Sequence, residues 1–175
     1  KMSATKTPIY KNPAATPARR VKDLLARMTL EEKAAQMMCI WQEKTSKLLD
    51  ANSNFDFKKA KAAFKKGHGI GQVGRPSDSG ANPATPADGK TARGMAELTN
   101  DIQKFFIENS RLGIPVFFHE ECLHGHAAKD GTSFSQPIGL GATFNPELIE
   151  HLYEMAAREV RARGAHQALT PVVDV

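Results

Sequence analysis

Three short apolar runs separated by helix-patterned segments constrain this chain more than any other feature. They are residues 69–74 (Gly69-Ile70-Gly71-Gln72-Val73-Gly74), residues 114–118 and residues 168–175. Runs of this length read as buried strands. Between the first two, residues 91–110 place Met95, Leu98, Ile102, Phe105 and Phe106 on one helix face, with Gly113 placed to end the helix. Between the second and third, Asn145-Pro146 offers an N-cap followed by proline at the first helical position. Leu148, Leu152, Ala156 and Val160 then share one side of a helix that stops at Gly164. Strands that alternate with helices argue for a parallel sheet, either open and doubly wound or closed into a barrel.

Upstream of the strands the pattern is helical. Residues 1–20 read as an extended N-terminal arm, because Pro8, Pro13 and Pro17 interrupt a helix there. From Val21, the residues Val21, Leu24, Leu25 and Met28 recur at the spacing of one helix face. Thr29-Leu30-Glu31-Glu32 matches a capping box and predicts a helix that runs through Met38. A further helix is expected over 57–66, ending at Gly67, and a long loop over 75–89. Cys39, in the apolar run Met37-Met38-Cys39-Ile40, reads as a small core residue, whereas Cys122 follows a predicted strand end. A disulfide between them has no support in the sequence.

Composition removes several classes of function. The 175 residues are 41% hydrophobic, enough for one ordinary core, and no run approaches the roughly 20 apolar residues of a membrane span. The first 16 residues lack the apolar stretch of a signal peptide. The net charge is +5, from 24 Lys and Arg against 19 Asp and Glu. That excess is spread along helix faces, notably Lys58, Lys59, Lys61, Lys65 and Lys66, with no aromatic residues interleaved. Nucleic acid is therefore not an expected partner.

Two motifs invite cofactor or metal chemistry. Gly69-Ile70-Gly71-Gln72-Val73-Gly74 matches the dinucleotide pattern, but that pattern needs a strand before it and a helix after it. Here a helix precedes it and Arg75-Pro76-Ser77 follows, so no cofactor is expected. His119-Glu120-Glu121-Cys122-Leu123-His124-Gly125-His126 is the densest titratable cluster. His119 and His124 lie five apart rather than four, and Gly125 breaks a helix, so the zinc-peptidase motif fails and no metal is expected. Its placement carries more weight. The cluster begins where the strand Val116-Phe117-Phe118 ends, and ligand sites in parallel α/β folds form beyond the carboxyl ends of strands. Glu121 is then a carboxylate at a site mouth, suited to accept paired sugar hydroxyls or, equally, to satisfy backbone groups of its own loop.

The ordered series of segments resembles family 3 glycoside hydrolases, the β-glucosidases and β-xylosidases. It begins with Leu24-Leu25-Ala26-Arg27-Met28-Thr29-Leu30-Glu31-Glu32-Lys33 and Gly69-Ile70-Gly71-Gln72-Val73. Asn100 with Gln103 follows, then Ser110-Arg111-Leu112-Gly113-Ile114-Pro115 and Glu121-Cys122-Leu123-His124-Gly125. After residues 134–140, Asn145-Pro146-Glu147-Leu148, Glu159-Val160-Arg161-Ala162-Arg163-Gly164 and Pro171-Val172-Val173-Asp174-Val175 complete it. The resemblance implies that residues 21–175 form the first strands and helices of an incomplete (β/α)8 TIM-type barrel. The rest of that barrel and any later domains would lie outside this chain. It also implies a retaining exo-acting enzyme that removes terminal β-linked glucose or xylose from oligosaccharides, using two carboxyl groups about 5 Å apart. No catalytic residue is expected in this chain: the nucleophile and acid/base would follow Val175. Glu121 matches the family's acidic sugar-binding position, where many β-glucosidases carry aspartate; the longer glutamate leaves glucose against xylose open. Arg75 and His124 are further substrate-binding candidates. The remaining part of the same enzyme is the expected partner, a secreted or periplasmic location is favoured, and the alternative is a non-catalytic carbohydrate-binding or regulatory module.

Overall fold

The structure, a computed structural model, describes residues 7–78 and 89–172. Helices α1 (Pro17–Arg27) and α2 (Leu30–Gln36) precede strand β1 (Cys39–Ile40), and α3 (Lys44–Lys47) and α4 (Phe57–Ala63) lead to β2 (Gln72–Gly74). Helix α5 (Ala92–Asn109) leads to β3 (Phe117–Glu121), and α6 (Pro137–Gly141) and α7 (Pro146–Ala162) lead to β4 (Gln167–Leu169). The four strands pair in parallel in the order β1-β2-β3-β4. Doubly wound sheets reverse their strand order, whereas barrels add each strand beside the last. The sheet is therefore the opening arc of a barrel, as the resemblance implied.

The local signals that carry a hydrogen bond within four residues appear as expected. Thr29 Oγ1 accepts from Glu32 N–H at 3.2 Å, and the Glu32 carboxylate accepts from Thr29 N–H at 2.9 Å, closing the capping box. Glu32 is also buried and paired with the Arg111 guanidinium, which ties α2 to the turn after α5. Asn145 caps α7 by accepting Leu148 N–H at 3.0 Å. The apolar face of α5 packs Met95, Leu98, Ile102, Phe105 and Phe106 against Val73 and Phe118 of the sheet. Each such large side chain contributes about 1.5–3 kcal/mol by leaving water. Phe64 and Phe106 meet edge to face, with ring centroids 4.8 Å apart.

Several elements differ from the sequence expectations, some for a local physical reason. The helix after the arm opens at Pro17 rather than Val21, because proline is accommodated at the first helical position, where its missing N–H has no partner to lose. Helix α2 stops at Gln36, and Cys39–Ile40 forms a strand too short to show alternation. On that strand Ile40 turns into the core and Cys39 to the opposite face, so Cys39 is exposed rather than a core residue. Strand β3 spans Phe117–Glu121 rather than 114–118. Pro115 has no N–H, and the Gln103 side chain binds both Val116 N–H (2.6 Å) and Val116 C=O (2.9 Å), taking the bonds a neighbouring strand would use. Finally, β4 covers only Gln167–Leu169; residues 173–175 of that expected strand, and residues 79–88 of the expected loop, lie outside the described residues. Helix α4 closes at Ala63, short of the expected 66; its Lys58, Lys59 and Lys61, and Lys65 and Lys66 just beyond it, are all exposed, as a solvated face requires. Leu148, expected on the buried side of α7, is substantially exposed, while Ala156 and Val160 are buried.

Candidate functional site

Alternation along β3 sorts the titratable cluster into two environments. Phe118 and Glu120 point to the helix side and are buried, whereas Phe117, His119 and Glu121 point to the opposite face. The register places His119 beside Gly74 and Glu121 beside Leu169. A Cβ on Gly74 would stand 2.7 Å from His119 Nε2, so glycine there lets the imidazole lie flat across β2. Cys39, His119, Glu121 and Leu169 consequently line one cleft of about 610 Å³ at the carboxyl ends of the strands, closed on its β1 side by Trp41, Gln42 and Glu43 and completed by Arg75.

Within the cleft Glu121 is one-quarter exposed, and Arg75 Nη1 lies 3.5 Å from its Oε1. Arg75 sits at φ 49°, with its N–H donating to His119 C=O at 2.7 Å. Its guanidinium lies 4.7 Å above the Trp41 ring and donates from Nε to Asp78 Oδ1 at 2.6 Å. Trp41 Nε1–H also donates to Asp78. Beneath them the buried Lys44 ammonium donates to the carbonyls of Gly74 (3.1 Å) and Arg75 (2.6 Å). Burial holds the Lys44 pKa below the usual lysine value, against the opposing pull of Asp78 and Glu120.

The same balance acts on His119. Burial lowers its pKa, while Glu120 and Glu121 work to raise it, so its neutral form is favoured. Glu43 is held below the ordinary carboxylate range by backbone hydrogen bonds at its own and the Trp41 amides, which makes it a poor proton donor. Burial pushes the Cys39 thiol up, and the wholly buried Cys122 thiol up to about 12, so neither is a ready nucleophile. Among the described residues no group of three or more His, Cys, Asp or Glu converges to hold a metal. The cleft thus offers a carboxylate, a guanidinium and an aromatic face, a set with the chemistry to bind and orient a polar ring.

Of the sequence candidates, the structure brings Glu121 and Arg75 together in the cleft and leaves His124 outside its lining. His124 sits in the loop after β3, where its C=O accepts Phe134 N–H at 2.7 Å. The glycine run has a packing cause: a Cβ on Gly71 would stand 2.0 Å from the Gln36 carbonyl, so Gly71 admits the end of α2 against the sheet. Sequence reasoning missed Trp41, Lys44 and Asp78. The lone tryptophan directly after the run 37–40 was the available signal, since Trp41 follows β1 at the same carboxyl end where Glu121 closes β3. Lys44 and Asp78 carried none.

Residues 29–175 match the family model of the N-terminal domain of glycosyl hydrolase family 3. The chain is 35% identical over 171 residues to a putative β-xylosidase of Formosa agariphila, covering 98% of this chain and 21% of that protein. It is 32% identical over 176 residues to β-glucosidase C of Emericella nidulans, covering 96% and 26% respectively. In structure it is similar to a β-glucosidase of Erythrobacter marinus, with a TM-score of 0.74, 30% identity, and coverage of 95% of this chain and 20% of that one. A β-glucosidase of Listeria innocua shares the fold, with a TM-score of 0.65 at 24% identity and coverage of 91% and 20%. The chain spans about a fifth to a quarter of the length of these relatives.

Proposed function

The chain belongs to glycosyl hydrolase family 3, and on that premise we propose that it forms the opening arc of the catalytic barrel of an exo-acting β-glycosidase. The substrate is an oligosaccharide or glycoside with a terminal, non-reducing β-linked glucose or xylose. Glu121 accepts hydroxyls of that terminal ring, and Arg75 sets its carboxylate at one wall of the cleft. His124 and Gly125 shape the loop behind it. The role is positioning: holding the ring where a nucleophile can meet the anomeric carbon accounts for a large part of such a rate enhancement. Both bond-making carboxyl groups, about 5 Å apart in a retaining enzyme, come from barrel segments beyond residue 175.

The observation that carries this reading is the place of Glu121. It stands at the carboxyl end of a parallel strand, partly exposed in a cleft, with a cation beside it and an aromatic ring behind that cation. The test uses the full-length protein with an aryl β-glucoside and an aryl β-xyloside, following the released sugar by proton NMR. The β-anomer appearing first supports the proposal. Saturable binding of either glycoside without turnover would instead establish the non-catalytic carbohydrate-binding module.

A further inference from the structure

Arg75 and Trp41 come from different loops, yet the cleft needs both in fixed places. Asp78 touches each. Its side chain is 6% exposed and stands between two cations, with Oδ1 accepting Arg75 Nε at 2.6 Å and Oδ2 lying 3.6 Å from Lys44 Nζ. It also accepts the indole N–H of Trp41. By engaging the Nε edge of the guanidinium, Asp78 leaves Nη1 to face Glu121 at 3.5 Å. By holding the indole N–H, it stops the Trp41 ring from turning away from the guanidinium face 4.7 Å above it. The backbone of this turn has its own anchors. Ser77 N–H donates to the buried Glu120 carboxylate at 2.8 Å, and Arg75 N–H donates to His119 C=O at 2.7 Å.

We propose that Asp78 is a positioning residue of the cleft: it fixes the Arg75 guanidinium and the Trp41 indole as one wall facing Glu121. The proposal rests on the reading of this cleft as the sugar site. Ser77 and Arg75 anchor the turn by their main chain, so removal of the Asp78 carboxylate acts first on the side chains it holds, Arg75 and Trp41 at the cleft wall and Lys44 beneath them. The loss then appears in how well the reacting ring is oriented, and displacements of about 1 Å are enough to cost a hundredfold.

The test is a double-mutant cycle in the full-length protein, with kcat/KM measured on an aryl β-glucoside and an aryl β-xyloside. Asp78→Ala is expected to lower kcat/KM about 10- to 100-fold. Asp78→Asn keeps one accepting oxygen and is expected to lose less. The Arg75→Ala/Asp78→Ala double variant should fall close to the worse single variant, since Asp78 acts through the wall that Arg75 and Trp41 form together. Losses that multiply, or wild-type kinetics for both Asp78 variants beside an impaired Arg75→Ala, overturn the positioning role and leave the sugar site standing. Unchanged kinetics for both Arg75→Ala and a Glu121→Ala control overturn the sugar-site reading, and this proposal with it. Where Asp78→Ala does not fold, Asp78→Asn and its combination with Arg75→Ala separate the same outcomes.

Discussion

Gly125 stands four residues beyond Glu121, and its replacement by alanine is the sharpest structural perturbation available near the cleft. Its φ is 101°, a region that side-chain-bearing residues rarely adopt. A Cβ built there would lie 2.0 Å from the carbonyl oxygen of Thr132 and 3.2 Å from Ser133 Cα, backbone atoms that no rotamer change can clear. The dihedral alone costs about 1–3 kcal/mol. Forcing the two loop segments apart adds about 1–3 kcal/mol, the usual cost of overpacking. Together these give roughly 2–6 kcal/mol, to be read as a lower Tm for the transition that melts this part of the barrel. Gly141 is the matched control: it lies at the end of α6, and a Cβ there meets nothing within 4 Å. Gly141→Ala should therefore stay within about 0.5 kcal/mol of the parent or gain slightly. The assay is thermal unfolding of the full-length protein, with kcat/KM on an aryl β-glycoside recorded alongside. Equal Tm values for Gly125→Ala and Gly141→Ala would refute the argument.

The buried pair of Glu32 with Arg111 predicts that Glu32→Ala costs about 1–3 kcal/mol, reduced from a fully buried pair because the Arg111 side chain is half exposed; an unchanged Tm counts against it. His119 and His166 both have pKa values lowered chiefly by burial, so the fold prefers them neutral. The unfolded chain takes up their protons more readily, so their contribution is complete above pH about 6.5 and is lost as pH falls below it. Tm measured between pH 8 and pH 5 should fall on acidification, less steeply in His119→Gln, and parallel profiles contradict this. Isolated residues 1–175 should aggregate or unfold without cooperativity, because β1 and β4 each have one strand neighbour among the described strands, and Met37 (87%), Ile138 (87%) and Phe144 (91%) are exposed. A sharp, concentration-independent transition for that fragment would contradict it.

What the sequence revealed was what short-range hydrogen bonds decide. The capping box at Thr29 and the Asn145-Pro146 helix start need partners only a few residues away, and the apolar face of α5 shows as a repeat within one helix although it packs against distant Val73 and Phe118. The parallel sheet was legible from the alternation of elements, and Glu121 from its place after an apolar run. Strand β1 was not, because two residues have no periodicity and their pairing with Gln72 and Val73 is non-local. The true extent of β3 was hidden too. The Gln103 side chain displaces strand pairing at Val116, and polar His119, Glu120 and Glu121 resemble a loop unless one face of the strand is known to line a cleft. Lys44 and Asp78 are invisible for the same reason. A buried Lys44 sits in a segment whose neighbours, Glu43, Thr45, Ser46 and Lys47, read as ordinary surface, and only the fold brings Gly74, Arg75 and Asp78 against it.

The central claim, that Glu121 binds the reacting sugar, is tested most directly by kcat/KM for Glu121→Ala in the full-length protein on aryl β-glucoside and β-xyloside. Removal of a charged hydrogen-bonding partner predicts a loss of about 1.5–3 kcal/mol in transition-state stabilisation, or roughly 10- to 150-fold, with the parent fold and Tm retained. Kinetics equal to the parent on both substrates would contradict the account.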